Sequence, residues 1–388
     1  MNRHQLLGLA ALLGLAGCSE KRLDVALQVT RATSLGDADL AYAYVSDAGD
    51  ENGSALADVD GFALSLSATS VRFEVKTLLD ASGFGRADVD ISGVPVGGSV
   101  TVPVLVVPVG RVSEVSSAPI DLGGDACVAV DENGTLFMVG GSAANQLGYV
   151  YGGDYTVRSV GSASAVGGLG CGARNGKVAF VGGCSGAVTS DVTIVDAEGS
   201  VVDTFPNLVG TNRCGARAAM RGDGGFWVVD DEVWGRYAAD GDGLDGNPSG
   251  FNAVAVEVTA NDALVVLTDD DVALYIGDDG GIVDLGPATA LGRQGSDALV
   301  LDGSEVKRVD NAATVVVDGV RGVASSRFVV VDGVFVGIDG SDVVVVDDGD
   351  TERLPMGRAH TGIAGLPGGQ VLLAGGDGAG FDGFFPKP

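Results

Sequence analysis

Histidine is all but missing from this chain: His4 and His360 are the two in 388 residues. Metal centres built on several imidazoles are therefore excluded, and any Ser or Cys nucleophile would have a single histidine to serve as its base. Basic side chains are scarce too, with 23 Lys and Arg against 52 Asp and Glu and a net charge of −29. Such a surface repels nucleic acid and anionic lipid headgroups, and no basic cluster offsets it. Glutamate is rare among the acids, 10 against 42 Asp, and Asp favours turns over helix interiors. The five cysteines include no C-x-x-C pair, so the usual zinc and redox spacings are missing. No apolar run is long enough to cross a bilayer as a helix, which takes about 20 residues.

What is present begins with a leader. MNRHQLLGLAALLGLAGCSEK carries a basic start at Arg3, an eleven-residue apolar stretch from Leu6 to Ala16, and small residues before Cys18. That is the layout of a signal peptide over residues 1–17. Leu15-Ala16-Gly17-Cys18 resembles the bacterial lipobox, which implies cleavage before Cys18, diacylation of its sulfur and palmitate-type acylation of the new amino terminus. Three acyl chains would anchor the protein firmly, because one alone binds only marginally. Ser19, by resemblance to enteric sorting rules, favours the outer membrane of a Gram-negative envelope. Loss of Arg3 with the leader leaves a formal charge of −30, and residues 18–22 read as a lipidated linker.

Glycine, at 64 residues, and many valine pairs mark an all-β chain. Between residues 23 and 108, six alternating or β-branched segments (LDVALQV, LAYAYV, FALSLS, VRFEVKTL, GRADVDI and SVTVPVLVV) are separated by clusters such as SDAGDENGS. They predict a small β-sandwich. VDISGVPVGGSVTVPVLVV resembles the last strands of immunoglobulin-like or transthyretin-like modules of bacterial surface lipoproteins, in architecture only, since no Cys-Trp-Cys framework is present.

From residue 111 to 388 a strand, a turn dipeptide and a second strand recur seven times. The turns fall at Asn133-Gly134, Asn175-Gly176, Asp223-Gly224, Asn261-Asp262, Asp302-Gly303, Asp332-Gly333 and Gly368-Gly369. Asn-Gly and Asp-Gly suit type I′ hairpins, in which both central residues need positive φ. Repeats at intervals of 30 to 48 residues with no helix signal predict a β-propeller. The stretch from Gly340 through VVVVDDGDTERLPMGRAHTGIAGLPGGQVLLAGG resembles a kelch repeat, with Arg358 and His360 opening the inner strand and Gly375-Gly376 closing the next. Gly140-Gly141 and Gly182-Gly183 repeat the double glycine, whereas Asp230-Asp231 and Asp269-Asp270 replace it, so the blade number is six or seven. VSEVSSAPIDL, residues 112–122, reads as an outer strand that completes the last blade and closes the ring.

Cys127, Cys171, Cys184 and Cys214 are an even set in an exported chain, which predicts two disulfides. Cys127, Cys171 and Cys214 start inner strands of consecutive copies and Cys184 follows a double glycine. Bridges between adjacent blades, Cys127–Cys171 and Cys184–Cys214, follow, with Cys171–Cys184 within one blade as the alternative.

Several chemistries fail on spacing. Gly376-Asp-Gly378-Ala-Gly380 is neither spaced as a dinucleotide loop nor followed by a helix, and Asp377 would repel phosphate. Gly183-Cys184-Ser185-Gly186-Ala187 lacks the final glycine of a nucleophile elbow. A galactose-oxidase-type copper centre needs several histidines, and a sialidase Asp box is missing. Asp240, Asp242, Asp245 and Asn247 alternate oxygen ligands with glycines and form the candidate calcium loop, although Phe251 stands where an EF-hand requires Glu.

The expectation is thus a lipid-anchored envelope protein whose propeller binds a protein or glycan without catalysis. No cofactor is required, calcium apart. The alternatives are a glycan-active enzyme using acids at the central funnel and a calcium-stabilised structural component of the envelope.

Overall fold

The computed structural model describes residues 20–55, 62–78, 82–116, 126–140, 148–160, 170–183, 189–206, 208, 216–230, 233–309, 314–320, 327–376 and 380–386. Cys18, Cys184 and Cys214 lie outside them. Strand dominates, and a 3-10 turn at Thr33–Leu35 is the one helical piece among the described residues. No described helix is long and apolar enough to cross a membrane. The chain divides into two compact units, one ending at Val106 and the other running from Val107 to Pro388, with Ala32–Ser34 counted to the second.

The first unit has seven strands: β1 (Glu20–Arg31), β2 (Leu40–Ser46), β3 (Glu51–Ala55), β4 (Phe62–Ser65), β5 (Ser70–Thr77), β6 (Gly83–Asp90) and β7 (Ser99–Pro108). Period-2 burial explains the central pair. Leu40, Tyr42, Tyr44 and Ser46 of β2 face inward, as do Val71, Phe73, Val75 and Thr77 of β5. Tyr44 stands opposite Phe73, ring centroids 6.2 Å apart. The hydrogen-bonded order is β3-β2-β5-β6-β7-β1-β4. In β1, Glu20–Leu23 pairs antiparallel with β4, and Asp24–Arg31 pairs parallel with β7. β3 is a strand that the sequence reading assigned to a turn cluster. Its residues ENGSA are exposed, so it is held by backbone pairing to β2 with no apolar alternation to reveal it.

The second unit contains seven four-stranded antiparallel blades among the described residues, five as separate sheets and two joined in one eight-stranded sheet. Their inner strands are Ala126–Val130, Gly170–Arg174, Arg217–Met220, Ala253–Val258, Ala290–Gln294, Arg327–Val331 and Gly362–Gly365, in blades 1 to 7. Each inner strand neighbours the next, and that of blade 7 returns to that of blade 1, so the ring is closed. The fold is a seven-bladed β-propeller, which settles the choice between six and seven. β8 (Ser113–Ser116) pairs antiparallel with Phe381–Phe384 and supplies the outer strand of blade 7, joining the start of this unit to its end. Gly110 donates to the Phe385 carbonyl at 2.9 Å, and Phe385 donates to Pro108 at 2.8 Å.

The cores lie between blades. Phe137, Val139, Cys171 and Phe180 fill the space between blades 1 and 2, Phe226 and Val192 that between 2 and 3, and Trp227, Trp234 and Leu264 that between 3 and 4. This is why valine pairs abound: each sheet is sandwiched on both faces, so its central strands read as continuous apolar runs. Blades 5 and 6 go further. Their inner strands hydrogen-bond in parallel register, Leu291 to Arg327 through Arg293 to Val329, making one eight-stranded sheet. Gly292 permits this, since a Cβ there would run into the Phe328 ring.

Two expectations about the turns are corrected. Asn175-Gly176 and Asp332-Gly333 have positive φ at both residues, as type I′ requires. At Gly134, Gly224, Asp262 and Gly369 the amide closes a turn onto residues 131, 221, 259 and 366, and only the closing residue is left-handed. That is the three-residue hairpin with one left-handed position, which needs Gly or Asp once, not twice. In blade 5 the inner hairpin is Ala290–Gln294 with Asp297–Asp302, and Asp302-Gly303 joins the second strand to the third. The run DALVLD masked this, because the true inner strand ALGRQ is weakly apolar.

Candidate functional site

All seven inner strands run in one direction, so their hairpin turns gather on one face of the ring, around the mouth of the central tunnel. Three arginines close inner strands just before these turns: Arg174, Arg221 and Arg293, in blades 2, 3 and 5. All three are buried. Arg174 Nη1 donates to the Thr259 carbonyl at 2.5 Å and Nη2 to Ala260 at 3.1 Å, reaching past blade 3 to blade 4, with Asp262 at 3.4 Å. Arg293 crosses the tunnel: Nη1 donates to Val130 at 2.8 Å in blade 1 and Ala173 at 2.9 Å in blade 2. From blade 6, Arg327 Nη1 donates to Val128 at 2.6 Å. Guanidinium groups suit this task, because five donors in a rigid fork can satisfy several carbonyls at once.

The turns are also tied to one another. Asp131, buried beneath the blade 1 turn, accepts from Thr135 N at 2.7 Å, Asn133 N at 3.0 Å and, across the blade boundary, Gly176 N at 2.9 Å. Burial pushes its carboxyl pKa up despite these bonds. Glu132 accepts from Asn175 N at 3.1 Å, the Asn175 side chain donates to Gly222 O at 2.7 Å, and Gly222 N donates to Asp262 at 2.5 Å. Blades 1 to 4 thus present one hydrogen-bonded rim.

Between blades 1, 5, 6 and 7 the mouth opens into a cavity of about 250 Å³. Val130, Val329, Val331, Leu366 and Pro367 give it apolar walls, Arg293 and Gln294 are its polar donors, and Asp131, Glu132 and Asp332 line it as well. Below it the bore narrows past Glu257, Arg293 and Arg327. The funnel thus holds Asp131, Glu132, Asp332 and Glu257 together with the guanidinium groups of Arg293 and Arg327.

Blade 7 holds Arg358 and His360. The Arg358 guanidinium pairs with Asp382, and His360 Nε2 lies 2.8 Å from Asp382 Oδ2, both side chains buried. Burial raises the Asp382 pKa, but the hydrogen bonds and charges of His360 and Arg358 outweigh it and hold the carboxyl below its usual range. Gly375 and Gly376 both have positive φ, and a Cβ on Gly376 would strike the Ala359 carbonyl. Arg358, His360, Asp382, Gly375 and Gly376 make one structural knot at the start of the inner strand.

The other sequence-selected residues are placed as follows. Cys127 and Cys171, on the inner strands of blades 1 and 2, form a disulfide with a Cα separation of 6.0 Å. Of the candidate calcium loop, Asp240 and Asp242 sit at the hairpin turn, Asp245 and Asn247 lie on the outer strand Gly243–Pro248, and the Asp245 carboxylate pairs with Arg236. Regular strand pairing runs from Asp245 to Pro248. No group of three metal-ligating residues gathers among the described residues. The buried arginines were not singled out from the sequence. Their signal was positional: in a chain with 23 basic residues, three fall at the same point of the repeat, in GAR-NG, AMR-GD and LGR-QG.

No protein-family profile and no curated protein matches the chain. Solved structures do align with about 70% of the chain. The Pan2 WD40 domain of Neurospora crassa is 8% identical over 69% of this chain and 90% of its own, TM-score 0.49. BamB of Moraxella catarrhalis is 11% identical over 71% of this chain and 100% of its own, TM-score 0.46. PorZ of Porphyromonas gingivalis, described as an essential bacterial surface component of the type-IX secretion system, is 15% identical over 69% of this chain and 37% of its own, TM-score 0.44.

Proposed function

We propose that this chain is a lipid-anchored envelope protein whose propeller binds a protein or glycan partner without catalysing a reaction. Cys18 is the anchor in this reading, the first unit a β-sandwich spacer, and the second a kelch-like propeller. The observation that carries it is the closed ring itself. Seven inner hairpins are delivered to one face, those of blades 1 to 4 are fixed to one another by turn-to-turn bonds, and β8 completes blade 7. A rigid scaffold that displays turns around a concave mouth is suited to recognition. The acidic surface would keep that face away from an anionic bilayer and favour an approach by partners with basic patches.

The rim offers exposed positions for a test: Asn133, Asp223, Asn261 and Asp332. Full-length protein with all four replaced by Lys should melt within a few degrees of wild type and lose cross-linking to its envelope partner. Equal cross-linking by both would overturn the choice of face. Glycan turnover abolished by a single Asp change would establish the enzyme reading instead. Cys18→Ala should release the protein from membranes, and loss of palmitate labelling checks the anchor.

A further inference from the structure

We propose that Asn52 is the attachment site of an N-linked glycan, and that the fold withholds the same motif at Asn133. Of the eleven asparagines in the chain, two are followed at the second position by Ser or Thr with no intervening proline: Asn52-Gly-Ser54 and Asn133-Gly-Thr135. That spacing is the acceptor sequence for glycan transfer to asparagine, in which the transferase reads the hydroxyl. Both are also preceded by Asp-Glu, so the chain carries Asp50-Glu-Asn-Gly-Ser54 and Asp131-Glu-Asn-Gly-Thr135, one in each unit. An acid two residues before the asparagine is what bacterial transferases require in addition, and both copies meet it.

The structure separates the two copies. Asp-Glu-Asn-Gly is also turn chemistry, and at residues 131–135 the turn accounts for the motif: Asp131 accepts from Asn133 N and Thr135 N, and Gly134 N closes onto the Asp131 carbonyl. Asp131 and Thr135 are 3% and 6% exposed, and the Asp131 carboxylate also holds Gly176 N of the next blade. A transferase can reach neither the acid nor the hydroxyl there without opening the blade. In the first unit the turn lies upstream, where Gly49 N and Asp50 N return to Ser46. Residues 51–55 form β3, with Asn52, Gly53 and Ser54 all exposed. β3 ends the hydrogen-bonded order, so one of its edges is open. Packing calls for Gly53, since a Cβ there would meet the Tyr42 carbonyl oxygen at 2.7 Å. Asn52 and Ser54 have no such reason: Asn52 Oδ1 accepts from Gly53 N at 2.8 Å, and neither Asn52 Nδ2 nor the Ser54 hydroxyl has a hydrogen-bond partner among the described residues. The bonds of Asp50 to Ser46 Oγ and Ser65 N use Oδ2, which leaves Oδ1 for recognition.

The donor class is an oligosaccharide on a lipid pyrophosphate, so the inference rests on the envelope reading, in which the exported chain meets such donors. Asn52 Nδ2 attacks the anomeric carbon. A C–N bond forms, the C–O bond to the pyrophosphate breaks with its electron pair leaving on the lipid, and Nδ2 gives one proton to a base of the transferase. β3 has no buried side chain, so drawing it into a transferase costs little beyond its pairing to β2.

Mass spectrometry of the full chain from its native envelope tests this: peptides containing Asn52 should carry sugar and those containing Asn133 should not. Ser54→Ala, at an exposed position, should melt like wild type and abolish the modification; Ser54→Thr should retain it, and Asn133→Gln should leave it unchanged. In vitro, the unglycosylated full chain is given a bacterial oligosaccharyltransferase and its undecaprenyl-pyrophosphate oligosaccharide. Transfer to Asn52 should be at least about tenfold faster than to Asn133, because an edge strand opens far more often than the inner hairpin of a blade. Synthetic peptides of residues 48–56 and 129–137, freed of the fold, should both be accepted. Asn52 bare in the membrane-bound native chain, a deamidated Asn52 without sugar, or equal transfer to both sites of the folded chain would each overturn the inference. A native chain found in the cytosol would sink the envelope reading, and with it attachment in the cell, even if the purified protein accepts glycan at Asn52.

Discussion

Removing Ser113–Ser116 should destabilise the whole propeller, not one edge of one blade. Three residues of β8 pair with blade 7, Ser116 with Phe381, Glu114 with Asp382 and Ser113 with Gly383, and net backbone hydrogen bonds contribute about 1 kcal/mol each. Val115, 7% exposed, lies over Gly383, where a Cβ would meet its Cγ2 at 2.8 Å. Burying a valine contributes roughly 1.5–3 kcal/mol. The total is about 5 kcal/mol, of the same order as the entire stability of many domains. For a unit of this size about 2–4 °C is lost per kcal/mol, so the midpoint should fall by roughly 10–20 °C. Calorimetric melting of the full chain measures this, and a synthetic peptide spanning residues 111–118 should restore part of the loss in a concentration-dependent way. An unchanged midpoint, or loss confined to blade 7 amides in hydrogen exchange, would refute closure by β8.

Three further outcomes are expected. Gly376→Ala combines a left-handed backbone with a collision against Ala359, so it should cost at least about 2 kcal/mol, whereas Gly303→Ala, left-handed but in open space, should cost about 1 kcal/mol; denaturant midpoints compare them. Asp382 has a depressed carboxyl pKa in the folded state. Its stabilisation is therefore present above the ordinary carboxylate range and is lost as pH falls through the folded value, so acid melting curves of Asp382→Asn should show a shallower loss below about pH 4. Opening the Cys127–Cys171 bridge, which closes a separation of 44 residues, should cost about 4 kcal/mol on the chain-entropy estimate, measured as the midpoint shift of the Cys127→Ser/Cys171→Ser double variant.

The repeat was legible because its turns carry chemistry that few residues can supply. Asn175-Gly176 and Asp332-Gly333 mark blades 2 and 6 by conformation alone, and Val-rich runs announce strands covered on both faces. Blade 5 was misplaced by one strand because ALGRQ owes its position to parallel pairing with Arg327–Val331, a tertiary contact with no local pattern. β3 escaped for a similar reason: an exposed edge strand needs only a neighbour. The site was the least legible part. Arg293 acts through carbonyls of residues 130 and 173, and a backbone carbonyl is the same group at every position, so nothing in residues 130 or 173 announces the contact. Alternating Asp and Gly, as at Asp240, Asp242 and Asp245, suit a hairpin and a strand edge as well as an ion-binding loop.

The parallel seam between blades 5 and 6 gives the ring a polarity that seven independent blades would lack. One arc is laced by main-chain bonds at its innermost radius, while elsewhere adjacent blades meet through side chains. A strain applied to the circle should therefore be taken up on the far arc, with the seam as its fixed reference. Arg293 stands on that seam and grips the carbonyls of blades 1 and 2 across the bore.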